Sequence, residues 1–292
     1  MSRQFKIGLC TDSSAQLPRQ LVDRFDVAVV PLTVSVGECE YLDGVDLDVD
    51  EFYRMLGSDD PPHVVVSQPS PGQFAVAYDE LTARGCTDIL SIHASAAVSG
   101  ALSAARLGAR GFDVPVRLVD SGTASFGVGC CVWAAGDALA AGASLDAAAS
   151  VAESLAPSIG NVFTIGAVDL VRGARRLTPA APHASNLAAA LSEPDSVPVL
   201  ALQEGQVQVI DRVASVVEAV DVMAAAVSRA GACVNVGLGL ADATARPLAD
   251  ALQCTLRRHT NVAEVVRYRI GPSVGAHAGP GAVGCFMFPA SP

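Results

Sequence analysis

Ile89-Leu90-Ser91-Ile92-His93-Ala94-Ser95-Ala96-Ala97-Val98-Ser99-Gly100-Ala101-Leu102-Ser103-Ala104-Ala105 begins apolar and β-prone, breaks into small and hydroxylated residues, and resumes as an Ala/Leu-rich helical run. It reads as a strand, a tight turn and a helix N-terminus, the repeating unit of a parallel α/β sheet. In such sheets ligands bind outside the carboxyl ends of the strands. The first turn of the following helix carries unpaired backbone N–H groups and the positive end of the helix dipole. Ser95 and Ser99 add hydroxyls there. Together these groups suit a carboxylate or a phosphate. The same residues also read as a helix cap with no ligand.

The flanking sequence repeats this alternation. Residues 5–10 read as a buried strand, followed by the hydroxyl-rich turn Thr11-Asp12-Ser13-Ser14. A helix over 17–25, a strand over 27–34 interrupted by Pro31, a polar excursion over 37–44 and a helix over 48–56 come next. The 61–71 loop holds Val64-Val65-Val66 and then Ser67-Gln68-Pro69-Ser70-Pro71, which places Ser70 as the cap and Pro71 at the first position of a helix over 72–84. Strands over 88–93 and 115–120 alternate with helices over 98–110 and 127–141. The pattern predicts a three-layer α/β/α domain with a mostly parallel sheet.

After a break at 142–146 and a helix over 145–155 the character changes. A strand is expected over 161–165, a short helix over 167–176, and a loop over 177–196. A β-hairpin over 197–203 and 206–212 turns at Glu204-Gly205. Helices over 213–229 and 243–252 and strands over 234–239, 264–270 and 284–288 complete the chain. This predicts a second, two-layer α/β domain with a mixed or antiparallel sheet. The boundary is placed near 155–159, giving domains of 1–156 and 157–292.

The 292 residues are 51% hydrophobic, carry a formal net charge of −11 and have a pI of about 4.8. That balance argues against nucleic acid or an anionic membrane surface as the main partner. The cysteines at 10, 39, 86, 130, 131, 233, 254 and 285 form no C-x-x-C pair, so no zinc site is expected, and most of them lie in apolar segments and read as small core residues of a reducing cytoplasm. The N-terminal apolar run is too short for a signal peptide. The uncharged stretch 271–292 contains nine Gly or Pro residues and His277, which excludes a membrane-spanning helix. The expectation is a soluble, cytoplasmic protein without a membrane span.

Gly271-Pro272-Ser273-Val274-Gly275 matches the G-x-S-x-G nucleophile elbow by letter, and a strand precedes it. The elbow needs a helix after the serine. Here 276–281 is Gly/Pro-rich and reads as non-helical, and no carboxylate follows. A hydrolase using Ser273 and His277 therefore stands only as an alternative. No G-x-G-x-x-G and no Walker A sequence supports a nucleotide site in this chain. His277 lies in an uncharged stretch, where an imidazole would orient a carboxylate or serine, or simply pack. His63, His183 and His259 read as surface residues, and His93 as a strand-end core residue. Arg175 and Arg212, at a helix end and a hairpin end, read by themselves as solvated charges.

Several short motifs in order carry a resemblance: Thr11-Asp12-Ser13-Ser14, Val30-Pro31-Leu32, Tyr41-x-Asp43-Gly44, Ser67-Gln68-Pro69-Ser70, Ser95-x-x-Val98-Ser99-Gly100, Val119-Asp120-Ser121, Arg172-Gly173-Ala174-Arg175, and Ile270-Gly271-Pro272 with 275–282. The chain resembles the DegV family of bacterial fatty-acid-binding proteins over nearly its whole length. It departs from the family pattern at Val66, Ala101, Leu102 and Ala174, losing hydroxyls and a tyrosine near the expected ligand.

The resemblance implies two domains with one long-chain fatty acid buried between or beneath them. Its carboxylate would be held by Ser67, Ser95 and His277, with Val66, Asp12, Ser13, Ser99 and Gly100 nearby. It implies a lipid carrier rather than an enzyme, with no cofactor beyond the bound fatty acid. A separate ATP-dependent fatty acid kinase would phosphorylate the carboxylate to an acyl phosphate, and Arg175 and Arg212 would contact that kinase or the transferred group. The lack of a phosphate-binding loop fits a carrier for such a partner. The rival readings are a hydrolase or other enzyme at Ser273/His277, or a binding protein for a different apolar carboxylate.

Overall fold

Four near-continuous apolar runs form one sheet. Strands β1 (Ile7–Asp12), β2 (Ala28–Val30), β6 (Asp88–His93) and β7 (Val116–Asp120) pair in the order β2-β1-β6-β7, all parallel. The structure is a computed structural model and describes residues 6–165, 196–203, 206–259 and 261–290. Both faces of the central strands β1 and β6 are buried, as expected for the inner strands of a parallel sheet covered by helices on both sides. On one face Phe74, Tyr78 and Leu81 of α3 (Pro71–Ala83) and Ala101, Ala104 and Ala105 of α4 (Ala101–Gly108) pack with Cys10 and Ile89. On the other, Val128 and Val132 of α5 (Phe126–Ala140) and Ala148, Ala149 and Ala152 of α6 (Leu145–Leu155) pack with Leu9, Leu90 and Ile92. This is the expected three-layer arrangement around a parallel sheet.

One departure lies in the stretch read as a single strand over 27–34. The chain leaves the parallel sheet at Pro31 and starts a separate antiparallel sheet, β4-β3-β5, from β3 (Thr33–Val36), β4 (Cys39–Leu42) and β5 (Val64–Ser67). Pro31 has no N–H for a ladder, and the Leu32 N–H goes to the Ser13 hydroxyl instead. The polar excursion over 37–44 is thus half of a hairpin, with Gly37 at φ +62° in its turn. Helix α1 (Arg19–Phe25) follows β1, and α2 (Val49–Leu56) follows the hairpin.

A second, six-stranded sheet has the order β10-β9-β8-β13-β11-β12. Its strands are β8 (Gly160–Thr164), β9 (Val197–Gln203), β10 (Gln206–Val213), β11 (Val234–Leu240), β12 (Val262–Arg269) and β13 (Val283–Pro289). Only β11 and β12 run parallel; the other pairs are antiparallel, so the sheet is mixed. Helices α7 (Val216–Arg229) and α8 (Arg246–Leu256) bury Met223, Val227 and Leu252 against one face. The fold is therefore a two-domain α/β fold with one parallel sheet, one mixed sheet and a small antiparallel one.

Helix α5 joins the two sheets. It buries every residue from Phe126 through Gly136, as a helix apolar all round must. Phe126 and Trp133 face the second sheet: the Phe126 ring stacks on Tyr268 at 4.1 Å, and Trp133 meets Phe288 edge-on at 5.3 Å. No described helix is long and apolar enough to cross a membrane. The helix expected over 167–176 and the loop over 177–196 fall almost wholly outside the described residues, as do Arg175 and His183.

Candidate functional site

From β1 the chain moves outward to β2 on one side, and β6 leads to β7 on the other, so the strand order reverses between β1 and β6. A crevice above such a reversal is the favoured ligand position in an α/β sheet. Asp12 ends β1 and His93 ends β6. The segments carrying Ser13, Ser95 and Ser67 lead away from these two ends and from β5, and His277 follows β12.

After β1 the Ser13–Ala15 stretch makes one 3₁₀ turn, capped by Asp12, which accepts the Ser14 N–H at 3.1 Å and the Ser14 hydroxyl. Ser13 Oγ donates to Asp43 Oδ2 at 2.8 Å and accepts the Leu32 N–H. Gln16 sits at φ +56° and brackets two distant segments. Its Nε2 donates to Ser13 O at 3.0 Å and to Ser273 Oγ at 3.1 Å, and its Oε1 accepts the Gly271 N–H. Asp43 is buried; loss of solvent pushes its carboxyl above the usual 3.8, opposed by hydrogen bonds from Ser273 and Ser13.

The Gly/Pro-rich 276–281 stretch reads as non-helical, but its first three residues belong to helix α9 (Pro272–Ala278), which ends before Gly279. Pro272 suits its first turn. Tyr53 Oη donates to Ile270 O at 2.8 Å, just before the helix, and Gly275 lets the helix approach, since a Cβ there would lie 2.4 Å from that hydroxyl oxygen. Ser273 is 6% exposed, and its hydroxyl is engaged by Gln16 and Asp43. A nucleophile elbow instead presents its serine openly. His277 stands one turn beyond Ser273, on the same face of the helix. It is exposed, yet nearby protein displaces enough water to hold its imidazole below the usual 6.5.

The turn after β6 differs in detail from an open anion seat. Helix α4 starts at Ala101, later than the expected 98. The Ala96 N–H already binds Asp120 Oδ2 at 3.2 Å, the Ala97 N–H binds Ser95 Oγ, and the Ala101 N–H binds Ser99 Oγ. Each serine oxygen accepts one backbone hydrogen and keeps its own O–H to donate. The available donors are therefore hydroxyls rather than backbone amides. Ser95 itself is half-buried, its N–H held by Thr123 O at 2.8 Å.

Ser67 ends β5, exposed and paired with Thr33, with half-buried Val66 paired to Val34. Ser70 caps α3 in a reciprocal capping box with Gln73, as the Ser-Pro spacing predicts. Gln68 packs on Gly100, where a Cβ would fall 3.1 Å from Gln68 Nε2. The structure thus brings the Ser67-Gln68 loop against Ser99-Gly100. Separately it brings Ser13, Gln16 and Asp43 against the helix that carries His277. Among the described residues no hydrogen bond joins Ser67, Ser95 and His277 to one another. A cleft of about 880 Å³ beside Ser13, Asp43, Gly271 and Pro272 is lined also by Arg246, Arg267 and Arg269, but not by Ser67, Ser95 or His277. Arg267 pairs with Asp250, and Arg269 with Asp50. Arg212, on β10, is half-buried with Nη1 3.4 Å from Ser196 Oγ.

Over residues 6–290 the chain matches the DegV family, described as uncharacterised proteins. The chain belongs to the DegV family. A DegV domain-containing protein of Streptomyces coelicolor is 32% identical to this DegV chain over 287 residues, covering 97% of it and 98% of the relative. One of Mycobacterium tuberculosis is 29% identical over 98% of this chain and 99% of its own length. Among solved structures, a DegV family protein from Thermus thermophilus, described for its fatty acid binding, superposes with a TM-score of 0.80 and 28% identity, covering 98% of this chain and all of its own. A stearic acid-binding protein from Eubacterium ventriosum shares the fold, with a TM-score of 0.75 and 22% identity over 98% of both chains.

Gln16 and Tyr53 carry no local sequence signal for their roles, since their partners lie more than 200 positions away. Asp43 was marked only by the Tyr41-x-Asp43-Gly44 motif.

Proposed function

We propose that this DegV protein is a cytoplasmic, non-catalytic carrier for a long-chain fatty acid, bound between domains of 1–156 and 157–292. The carrying observation is the set of hydroxyl donors above the strand-order reversal, in a chain that shares its fold over 98% of its length with the Thermus thermophilus protein described for fatty acid binding. Ser95 and Ser67 donate their hydroxyl protons to the carboxylate, and His277 supplies an imidazole N–H. Val66, Asp12, Ser13, Ser99 and Gly100 shape and support that position. The acyl chain supplies most of the affinity, at about 0.8 kcal/mol per buried methylene before ordering costs.

The carboxylate is then presented to a separate ATP-dependent fatty acid kinase. Arg175 and Arg212 are assigned to that encounter. The alternative reading, a hydrolase at Ser273 and His277, is disfavoured by the burial of Ser273 and the engagement of its hydroxyl by Gln16 and Asp43.

Native mass spectrometry of the purified protein, followed by denaturing extraction, tests the carrier reading. A stoichiometric adduct that extracts as a long-chain fatty acid is the expected result. A protein that is ligand-free and stays so with added oleate or stearate would end that reading.

A further inference from the structure

The β1–β6 ladder has its last backbone pair at Cys10 and Ser91. One residue further on, Thr11 Oγ1 donates to Ile92 O at 2.7 Å, and one residue beyond that, where the chains enter their separate turns, a side-chain pair joins the strands. His93 Nδ1 lies 2.7 Å from Asp12 Oδ2, and both side chains are fully buried. An ionised carboxylate only accepts hydrogen bonds, so Nδ1 is the donor in either charge state of the ring. On the far side, Nε2 lies 2.7 Å from Ser91 Oγ, which is itself 3.0 Å from Tyr78 Oη.

Three segments of the proposed site meet at this imidazole. Through Asp12 it holds the cap of the Ser13–Ala15 turn. Through the chain it leads directly into Ala94 and Ser95, and its carbonyl accepts the Ser121 N–H. Through its ring face it meets Phe74 edge-on at 5.0 Å, in the first turn of the helix that begins at the Ser67–Ser70 loop. The Ser91–His93–Asp12 spacing has the form of a hydrolytic triad, but Ser91, His93 and Asp12 are each 0% exposed, which leaves no room for a substrate.

The geometry points to His93 as the positioning residue of the carboxylate site, its Nδ1–H bond to Asp12 fixing the Ser95 turn relative to the Ser13 turn. This rests on the carrier reading above. Asp12 and His93 remain paired to their outer neighbours Val30 and Asp120, and Thr11 Oγ1 donates to Ile92 O at 2.7 Å, so the bond acts at the last residue of each strand, where it sets how the two turns leave the sheet relative to one another.

The amide substitutions of histidine separate this role from general packing. Asn places an N–H near the Nδ1 position, whereas Gln places its amide near the Nε2 position and loses the donor to Asp12. The measurements are oleate affinity of the delipidated protein, melting temperature, and hydrogen exchange of the Ser14 and Ser95 amides. His93→Asn is expected to stay within about threefold of the parent affinity, and His93→Gln to fall by about tenfold or more, the scale of a lost hydrogen bond to a charged group. Faster amide exchange at Ser14 and Ser95 is expected in the Gln variant alone.

Equal behaviour of the two variants in affinity and exchange would overturn the assignment, as packing or stability alone would then account for His93. If His93→Gln does not fold, Ser91→Ala takes its place. It removes the partner on the far side only and should leave oleate affinity within about threefold, since the bond to the charged Asp12 persists; a tenfold loss there would also overturn the assignment. If the parent protein binds no oleate, the carrier reading fails on that ground, and amide exchange alone decides whether the Nδ1–Asp12 bond holds the two turns.

Discussion

Gln16 and Ser273 stand 257 positions apart in sequence and 3.1 Å apart in space, with Gln16 Nε2 donating to Ser273 Oγ. The same side chain accepts the Gly271 N–H and donates to Ser13 O. One amide thus ties the first turn of the chain to the helix that carries His277.

Replacing Gln16 by Ala leaves the Gly271 N–H without its acceptor and takes a donor from the buried Ser273 hydroxyl. The expected destabilisation is about 1–3 kcal/mol, the cost of unpaired buried polar groups. Gln16→Gly loses the same bonds but relaxes the φ of +56°, so it should unfold at higher urea than Gln16→Ala if left-handed backbone adds to the cost. Urea titration of both variants checks the ordering. An Ala variant as stable as the parent would show that the bracket contributes nothing.

Gly237 gives the Phe126 ring its space, since a Cβ there would lie 2.0 Å from Cε1 of that ring. The ring cannot retreat, because it is stacked on Tyr268. Gly237→Ala should therefore cost about 1–3 kcal/mol by overpacking. Combining it with Phe126→Leu should cost less than the sum of the two single changes, because they share one contact. Strict additivity in thermal unfolding would contradict this account of the junction between α5 and the second sheet.

Asp43 carries a pH signature. Burial raises its folded-state pKa above 3.8, so between 3.8 and the raised value the folded protein holds more protons than the unfolded chain. Stability from this group is present below that window and is lost as pH rises through it. Asp43→Asn removes the charge, so the variant should gain on the parent as pH rises from the lower edge of the window towards neutrality. Unfolding free energies for both proteins across that range give the difference directly. A difference that shrinks with rising pH would refute the assignment.

For His277 the sign runs through the ligand. Crowding by protein holds its pKa below 6.5 in the free protein, and a bound carboxylate beside it would favour the imidazolium. Fatty acid affinity should then rise as pH falls from neutral through 6.5, beyond any change caused by protonation of the fatty acid itself. His277→Gln should lose that extra rise. Identical pH profiles for the two proteins would remove His277 from the carboxylate site.

Arg212→Ala should still bind fatty acid while slowing phosphorylation of the bound acyl chain by a fatty acid kinase. Loss of fatty acid binding itself would show that Arg212, whose guanidinium contacts Ser196, supports the fold or the lipid site instead of the encounter.

Much of the fold was legible because its signals are local. Ser70, Pro71 and Gln73 form a capping box whose partners lie three residues apart, and the apolar runs of β1 and β6 are long enough to demand burial on both faces. Position 93 also read correctly as core. The split at Pro31 and the hairpin at 37–44 were less visible, because β4 is short, polar and largely exposed, and its pairing with β3 is decided by the turn and not by a buried face.

The sequence alone determined the alternation of strands and helices, the two sheet types and the family, since each is written in periodicity, caps and ordered motifs. Only the tertiary structure decided what becomes of residues 272–278. Seven residues are well below the length of about 12–15 at which an isolated helix is even marginal in water. Here Gln16 takes the N–H of Gly271, Tyr53 takes the carbonyl of Ile270, and Gly275 lies against the Tyr53 ring. These partners come from the other end of the chain, so no local window contains them. The same separation explains why the Asp12–His93 bond, across 81 positions, exists only once the two strands are paired.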